Sequence, residues 1–399
     1  MKICFVLLYH PDAIEADPQG ALDRFPLLRH IPNELARLGH RVDVVRLWPR
    51  AAELQDGGVR HHFLPAGLIA RAFSAAVARW LGRKAGFYRP AWRAARLVRR
   101  LRPDLVHFHG TVLHLNLGLL LMVLGRQAPP VVLQHHGGEP SSNRLVRRWQ
   151  RRLLGRAARL LFTARSHAQP YIDAGVLPPG RGRIAEVTEA SSVLRCIGRP
   201  AARQQTGMSG EPVFLSTARL HPIKDPLTVL RGFERIVAAW PRAQLYLHYL
   251  SEELLVPLGD FVAARPHLAG KVHFGGRAPA ERMEAIYNSA DFLIQASRRE
   301  YSGYAVLEAM SCGVIPVVSD IPSFRAMIGN SGCGLLFPAG DDEALARGVL
   351  QIPNEEIPTR SRQVRAHFDS HLSFPSLAHR LEAVYKEVVG SASGPLSSR

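Results

Sequence analysis

Short runs of apolar residues alternate with longer amphipathic segments along most of the 399-residue chain. Apolar runs of about four to eight residues are typical of strands that are buried on both faces of a parallel sheet. Between the first two runs, leucine and isoleucine recur at helical spacing up to Gly39, which ends the predicted helix. The predicted strands are 1–9, 42–47, 104–109, 131–136, 213–217, 244–250, 271–277, 292–296 and 315–318. The pattern therefore predicts an α/β protein with parallel sheets.

The segment 291–320 has the clearest order of elements. An apolar run is followed by a polar loop, by a helix over 304–310 that Gly313 ends, and by a second apolar run. Ligands of parallel sheets bind beyond the carboxyl ends of the strands. A helix N-terminus at that edge favours an anion such as phosphate. The loop 300–303 is therefore a candidate ligand-binding loop.

Two glutamates in this segment fit poorly with a purely structural role. Glu300 lies in the loop, and Glu308 lies inside the helix among apolar residues. Charged side chains in such surroundings are rarely buried without a partner. Carboxylates at these positions could accept hydrogen bonds from the hydroxyl groups of a sugar nucleotide. An exposed glutamate and a charge near a helix terminus are the alternative.

The loop after the predicted strand 213–217 carries two cations. Arg219 can bind a diphosphate as a planar fork, and Lys224 can bind it as a point charge. Arg277 ends another predicted strand, where it would lie near a nucleotide base. The alternative is a solvated loop with ordinary surface cations.

Histidines end two consecutive predicted strands. His107 and His109 belong to the first, before Gly110, and His135 and His136 belong to the second. Two parallel strands with this ending favour a functional role over a structural one. A metal site is the alternative, but no carboxylate or cysteine accompanies the first pair at ligand spacing.

The two glutamates, followed by Ala-Met-Ser-Cys-Gly-Val-Ile-Pro-Val-Val, resemble the donor-site signature of family-4 glycosyltransferases (glycosyl transferases group 1). The loop with Arg219 and Lys224 resembles the family's Gly-Arg-Leu-x-x-x-Lys. The chain departs from the usual pattern at Ala218, at Tyr301 and Ser302, and at Glu189 to Ser192, which replace Pro-Asn-Gly-x-Asp. The departure beside Glu300 affects the identity of the sugar more than the class of reaction.

This resemblance implies the GT-B fold, with two Rossmann-like parallel-sheet domains facing a deep cleft. The implied acceptor-binding domain is 1–205, and the implied nucleotide-sugar-binding domain is 206–372. Residues 373–390 would form a helix that returns to the first domain, and 391–399 a disordered tail.

The resemblance also assigns roles to individual residues. The catalytic residues are His136, Glu300, Arg219 and Lys224. Donor binding is assigned to Arg219, Lys224, Arg277, Glu300, Ser302, Gly303, Tyr304, Leu307 and Glu308. The acceptor side is assigned to Gly20, in the loop after the first strand, and to His109 and Gly110. In this assignment Glu308 faces the ribose and Glu300 the hexose.

The implied reaction is retaining transfer of a hexose-type sugar from a UDP- or GDP-linked donor. The implied acceptor is lipid-linked or belongs to the biosynthesis of a cell-surface polysaccharide or glycolipid. No two aspartates lie two residues apart, so the D-x-D metal clamp is absent, and we expect no metal and no cofactor. Arg219, Lys224 and the helix dipole would neutralise the leaving diphosphate instead.

All of the net positive charge lies in the first half of the chain. Residues 1–200 hold 31 Lys and Arg against 13 Asp and Glu, whereas 201–399 hold 20 of each. Segments 70–101 and 144–162 combine arginines with tryptophan, as helices at an anionic membrane surface do. Ordinary amphipathic helices with solvated arginines are the alternative.

Two other functions compete with the transferase. A nucleic-acid-binding protein would account for the charge, but the chain has no motif of that class, so we expect no nucleic acid. A sugar-nucleotide epimerase would need no basic, tryptophan-bearing first domain. Four widely spaced cysteines favour a reducing cytosol, and no apolar run is long enough to span a bilayer. The expected location is cytoplasmic and peripheral on the inner face of the membrane.

Overall fold

The computed structural model describes residues 1–9, 17–24, 26–66, 72, 76, 89–180, 182–329 and 331–393. The chain forms two compact units. The first comprises Met1–Glu189 together with Leu377–Arg399, and the second comprises Ala190–Ser376. Each unit has its own sheet with helices packed against it.

The first unit contains an eight-stranded sheet with the order β3-β4-β2-β1-β5-β6-β7-β8. Its strands are Lys2–Leu7 (β1), Arg41–Leu47 (β2), Ala52–Asp56 (β3), Val59–Leu64 (β4), Leu105–His109 (β5), Val131–Gln134 (β6), Arg159–Phe162 (β7) and Ile184–Glu186 (β8). All neighbouring strands are parallel except β3 and β4, which form an antiparallel hairpin. The hairpin is absent from the sequence-based prediction because β3 alternates exposed and half-buried residues and has no apolar run.

The second unit contains a six-stranded, wholly parallel sheet with the order β11-β10-β9-β12-β13-β14. Its strands are Val213–Thr217 (β9), Gln244–His248 (β10), Val272–Gly276 (β11), Phe292–Gln295 (β12), Ile315–Ser319 (β13) and Leu335–Phe337 (β14). Every residue of β12 and β13 is buried, as expected for central strands of a parallel sheet. The two sheets confirm the predicted α/β class with two parallel-sheet units.

Helices cover the faces of both sheets. Those that precede the final one are Pro18–Arg24 (α1), Leu27–Arg37 (α2), Trp92–Leu101 (α3), His114–Leu124 (α4), Arg144–Leu154 (α5), Gln169–Asp173 (α6), Arg199–Thr206 (α7), Pro226–Ala239 (α8), Leu255–Ala263 (α9), Met283–Ser289 (α10), Tyr304–Ser311 (α11), Pro322–Ile328 (α12), Asp342–Leu350 (α13) and Ile357–His367 (α14). The last helix, Phe374–Ser393 (α15), begins in the second unit, and its residues from Leu377 pack with the first.

Helix α15 contributes a buried aromatic side chain to the first unit. Tyr385 is fully buried, and its hydroxyl lies 2.5 Å from Nδ1 of His107, with which it forms a hydrogen bond. The two rings also meet edge to face, with their centroids 5.8 Å apart. Helix α15 continues through Ser393, so the first three residues of the predicted disordered tail are helical. Residues 394–399 lie outside the described residues.

The first unit ends at Glu189 rather than near residue 205. Helix α7 packs with the second unit, where the buried Ala202 faces inward and Arg203 pairs with Asp291 at 2.7 Å. Arg199 reaches the same carboxylate at 3.1 Å. Two ion pairs therefore tie the helix that follows the first unit to the second sheet.

Two further local predictions differ from the structure. Gly20 lies inside α1 rather than in a loop, because Asp17 accepts hydrogen bonds from the backbone of Gln19 and Gly20 at the start of that helix. The basic segment 144–162 is a helix only as far as Leu154, and its final residues form the buried strand β7.

We predict that Tyr385→Ala lowers the free energy of unfolding of the first unit by about 3–5 kcal/mol, because it leaves a large cavity. Tyr385→Phe should cost about 1–3 kcal/mol, since it removes the hydrogen-bond partner of a buried histidine. Four of the five tryptophans lie in residues 1–189, so urea unfolding followed by tryptophan fluorescence reports mainly on this unit. His379→Ala, at an exposed position of α15, is the control. A Tyr385→Ala midpoint equal to that of the control would contradict the packing role.

Candidate functional site

The register of the second sheet sets two loops side by side. Strands β9 and β12 are parallel neighbours, with Phe292 opposite Phe214, so the loops that follow them leave the same edge of the sheet. The backbone N–H of Arg298 donates a hydrogen bond to the carbonyl of Ile223 at 2.8 Å. The Arg298 guanidinium also reaches Asp225 at 2.7 Å. These contacts hold the loop with Lys224 against the loop with Glu300.

Lys224 and Glu300 form an ion pair across the two loops. The side chains are only 15% and 23% exposed, so little water screens the pair. Asp225, the next residue, has a left-handed backbone with φ of 46°, and its carboxylate caps the start of α8. The structure thus joins two residues that the sequence assigns to catalysis, 76 positions apart along the chain.

Glu308 occupies a separate hydrogen-bonded position on α11. The hydroxyl of Tyr287 donates to its carboxylate at 2.7 Å, and the Thr217 hydroxyl lies 2.8 Å from the Tyr287 oxygen. Burial raises the pKa of Glu308, and the hydrogen bond from Tyr287 opposes that rise. Burial also raises the pKa of Tyr287 well above its usual value, so this tyrosine remains a donor. One carboxylate oxygen is therefore engaged within the protein.

A cavity of about 440 Å³ lies beside Glu308. It is lined by Thr217, Ala218, Arg219, His248, Tyr249, Leu250, Arg277, Ala278, Pro279, Ala280, Met283, Tyr287, Tyr304, Ala305 and Glu308. Four of the predicted donor-binding residues, namely Arg219, Arg277, Tyr304 and Glu308, thus surround one space. Two cations, a carboxylate and apolar walls suit a ligand with an anionic part, hydroxyl groups and a flat ring.

Gly303, Ser302 and Leu307, which are also predicted donor-binding residues, are close in sequence to the cavity-lining residues Tyr304 and Glu308. Their surroundings differ from one another. Gly303 precedes α11 with φ of 59°, and a Cβ atom there would lie 2.9 Å from Met327, so this position requires glycine. Ser302 lies beside it in the loop. Leu307 is fully buried in the core of the second unit, so its side chain faces apolar residues rather than a ligand.

His248 and Tyr287 line the cavity but are absent from the sequence-based assignment. His248 ends β10, and its ring lies so close to Gly275 that a Cβ there would be 2.4 Å from it. The available signal for His248 was its place near the carboxyl end of a predicted strand, where ligands of parallel sheets bind. Tyr287 gave no signal, because an aromatic residue in a short amphipathic helix is usually part of the core.

The first unit gathers the predicted histidines at the carboxyl ends of β5 and β6. The rings of His107 and His109 stack with centroids 4.5 Å apart. Nδ1 of His109 lies 2.7 Å from Nε2 of His136, and Nδ1 of His136 forms an ion pair with Glu189. The sequence predicts the three histidines, whereas Glu189 appears there only as a departure from a family motif.

Burial controls the charge of His107 and His109. It lowers the pKa of His107 to about 3, and a nearby charge on His136 adds to the effect. It also lowers the pKa of His109 well below its usual value, with contributions from His107, His136 and Arg46. His107 and His109 are therefore neutral at physiological pH. Gly110, directly after β5, has φ of 103° and donates its N–H to the carbonyl of Gln134 at 2.9 Å.

Among the described residues, no group of three or more His, Cys, Asp or Glu side chains is arranged to hold a metal ion. The same part of the chain contains no helix that is both long enough and apolar enough to cross a bilayer.

A basic and apolar surface covers α5 in the first unit. Leu145 is 80% exposed and Trp149 is 39% exposed. With them, Arg148, Arg151, Arg152, Gly155 and Arg156 line an open depression. No Asp or Glu occurs between Glu139 and Asp173 in the sequence. Of the other predicted membrane segment, 70–101, residues 70, 71, 73–75 and 77–88 lie outside the described residues, and Trp92 is 44% exposed.

Two parallel-sheet units of this kind, with the predicted donor-binding residues at one edge of the second sheet, are typical of the GT-B class of glycosyltransferase. Residues 198–368 match the family described as "Glycosyl transferases group 1", and 27–185 match "Glycosyltransferase Family 4". The chain belongs to the family-4 glycosyltransferases and is therefore a transferase. This membership favours the transferase over the nucleic-acid-binding and epimerase alternatives.

Two curated relatives indicate the range of the similarity. A GDP-mannose:cellobiosyl-diphosphopolyprenol alpha-mannosyltransferase of Xanthomonas campestris is 25% identical over 295 residues, which are 72% of this chain and 72% of the relative. A phosphatidyl-myo-inositol mannosyltransferase of Mycobacterium tuberculosis is 25% identical over 312 residues, which are 73% and 78% of the two chains.

Two solved structures share the fold. Sucrose-phosphate synthase from Thermosynechococcus elongatus superposes with a TM-score of 0.69 at 17% identity, over 98% of this chain and 99% of that one. The Anabaena protein HepE in complex with UDP has a TM-score of 0.67 at 16% identity, over 97% and 100% of the two chains.

We predict that nucleotide affinity falls as the pH is lowered through the pKa of Glu308, which lies above its ordinary value of 4.5. The carboxylate accepts hydrogen bonds, and protonation removes its charge. Tyr287→Phe removes the donor that stabilises the carboxylate, so the midpoint of this loss should move to higher pH. Calorimetric titration with UDP or GDP between pH 4 and 8 measures it, and Tyr246→Phe, outside the cavity, is the control. An unmoved midpoint in Tyr287→Phe would rule out this coupling.

Proposed function

We propose that the protein is a retaining glycosyltransferase that moves a hexose-type sugar from a UDP- or GDP-linked donor to a lipid-linked acceptor, without a metal in the diphosphate site. The observation that carries the donor half is the cavity that Arg219, Arg277 and Glu308 share. The relatives named above support the acceptor half, because both names include a lipid. The name of the first relative also gives GDP-mannose as that enzyme's donor, so GDP-mannose is the first donor to test.

The donor's diphosphate would be bound by Arg219, Lys224 and the N-terminus of α11. The lysine already has a partner in Glu300, so donor binding would bring a second anion to the same ammonium group. A shared cation of this kind links the diphosphate to the carboxylate that faces the hexose. We infer that Lys224 both stabilises the leaving group and holds Glu300 in place.

Retention requires that the acceptor attack the face from which the diphosphate departs. The leaving phosphate oxygen would accept the acceptor's proton on that face, so no separate protein base is needed there. Positive charge around the departing diphosphate is then the main contribution of the protein. Arg219 and Lys224 supply that charge, while Glu308 binds the ribose and His136 the transferred sugar.

We predict that Arg219→Ala and Lys224→Ala each lower the transfer rate by roughly 100-fold or more, since each removes a charge aimed at the departing diphosphate. Arg231→Ala, at an exposed position of α8, should keep parental activity. Radiolabelled sugar transfer from GDP-mannose and from UDP-glucose to a lipid extract measures the rate. Activity of Arg219→Ala and Lys224→Ala within about threefold of the parent would remove both residues from the site.

The surface of α5 suits an anionic bilayer. Exposed Leu145 and Trp149 can enter the interface, and the surrounding arginines face the lipid phosphates. Binding there would hold the enzyme, on the cytoplasmic face of the membrane, in the plane that contains its acceptor. Solvated arginines alone would account for the charge but not for the exposed apolar residues between them.

We predict that the protein sediments with anionic vesicles at low salt and is released as salt rises. Replacing Arg148, Arg151 and Arg152 with Gln should weaken binding by about 3 kcal/mol, at about 1 kcal/mol for each cation near the surface. Activity on a short soluble acceptor should persist. A triple replacement of exposed arginines in the second unit, such as Arg231, Arg242 and Arg347, is the matched control. Absence of sedimentation at low salt would favour a soluble acceptor.

A further inference from the structure

Glu189 is a buried carboxylate at the end of the first unit. It is 2% exposed and follows β8 by three residues. Its carboxylate forms an ion pair with Nδ1 of His136. A carboxylate buried to this degree is costly unless a cation or hydrogen-bond donors meet it. The pair therefore fixes where one proton lies, because the imidazole nitrogen that faces the carboxylate must carry it.

The second nitrogen of His136 has a different neighbour. Nε2 lies 2.7 Å from Nδ1 of His109, and the two rings stack at 5.0 Å. His109 is neutral for the reasons given above, so it offers a hydrogen bond without a competing charge. Its own Nε2 is buried and has no hydrogen-bond partner among the described residues. The contact with His109 is thus the weaker of the two attachments of His136.

The ring of His136 is also accessible. Its side chain is 29% exposed, whereas His107 and His109 are buried. It follows β6, at the edge of the sheet where a ligand would approach. A partly exposed imidazole whose Nδ1 is held by a buried carboxylate presents its Nε2 to an approaching ligand.

We propose that Glu189 is a positioning residue for His136: it holds the proton at Nδ1 and the ring plane in place, so that Nε2 is the atom that meets the substrate. His109 is the partner of Nε2 in the unliganded protein and gives way to a sugar hydroxyl when substrate binds. This inference rests on the proposed function, in which His136 contacts the transferred sugar.

The chemistry of the carboxylate strengthens the assignment. An ionised glutamate can only accept hydrogen bonds, so the nitrogen of His136 that faces Glu189 acts as the donor.

The test uses the full-length protein labelled with ¹⁵N-histidine. Long-range ¹H–¹⁵N correlation spectra report which nitrogen of His136 is protonated, and His136→Ala assigns its signals. The parent should show a protonated Nδ1. Glu189→Gln should change the ¹H–¹⁵N correlation pattern of the His136 ring. It should also lower kcat about tenfold or more, with the donor KM within about threefold of the parent. Glu189→Asp, which keeps a carboxylate, should recover part of both. Glu186→Gln, at an exposed carboxylate on β8, should alter neither.

The outcomes separate this inference from the proposed function. If His136→Ala transfers sugar at the parental rate, the proposed role of His136 fails, while the spectra of Glu189→Gln still decide whether the carboxylate fixes the tautomer. If His136→Ala is inactive but Glu189→Gln keeps the parental spectrum and rate, the positioning role is wrong. Thermal melts of all variants are compared first, and a melt of Glu189→Gln that matches the parent excludes misfolding as the cause of a lower kcat.

Discussion

Parallel pairing of β9 with β12 is the constraint on which the candidate donor site depends. Because the two strands run in the same direction, the loops after them leave one edge of the sheet together. Two contacts from Arg298 then hold these loops against each other. Lys224 and Glu300 meet only because this geometry is already set. An antiparallel arrangement would place the same residues at opposite edges, and no local sequence feature would compensate for it.

In the first unit, solvent exposure decides which histidine is accessible to a ligand. Strand β5 places His107 and His109 on one face of the sheet, where lack of solvent keeps both rings neutral. His136 lies at the adjacent strand end, where the chain supplies Glu189 as a charge partner. The contact with a buried carboxylate thus distinguishes the accessible imidazole of His136 from its buried neighbours.

Local patterns were sufficient to predict five of the six strands of the second unit, and β14 was missed. Every strand predicted there is present, and the helix predicted over 304–310 is found as α11, since apolar runs and Gly313 are strong local signals. Arg219, Arg277, Tyr304 and Glu308 do share one cavity, because strand ends converge in a parallel sheet. The positions of strands, and the convergence of their ends at one edge of a parallel sheet, can therefore be predicted from a single sequence.

The missed features depend on contacts between distant parts of the chain. Tyr287 reaches Glu308 from another helix, and its sequence context gives no sign of this. Arg203 ties helix α7 to the second unit through Asp291, 88 positions away. The β3–β4 hairpin gains its stability by pairing with β2, although its outer strand has no apolar run. Such long-range partners become visible only when the tertiary structure is known.

The path of helix α15 affects how the protein is made. The first unit includes residues from 377 onward, and the buried Tyr385 among them completes the surroundings of His107. A ribosome adds about 5–20 residues per second, so roughly 10–40 seconds separate synthesis of Glu189 from synthesis of that helix. During this interval the second unit can fold on the ribosome, while the first still lacks Leu377, Leu381 and Tyr385, which are buried in the finished protein. Synthesis of the first unit begins before that of the second unit and is completed after it. We therefore expect the first unit to be the part of the nascent chain that most needs protection by a chaperone.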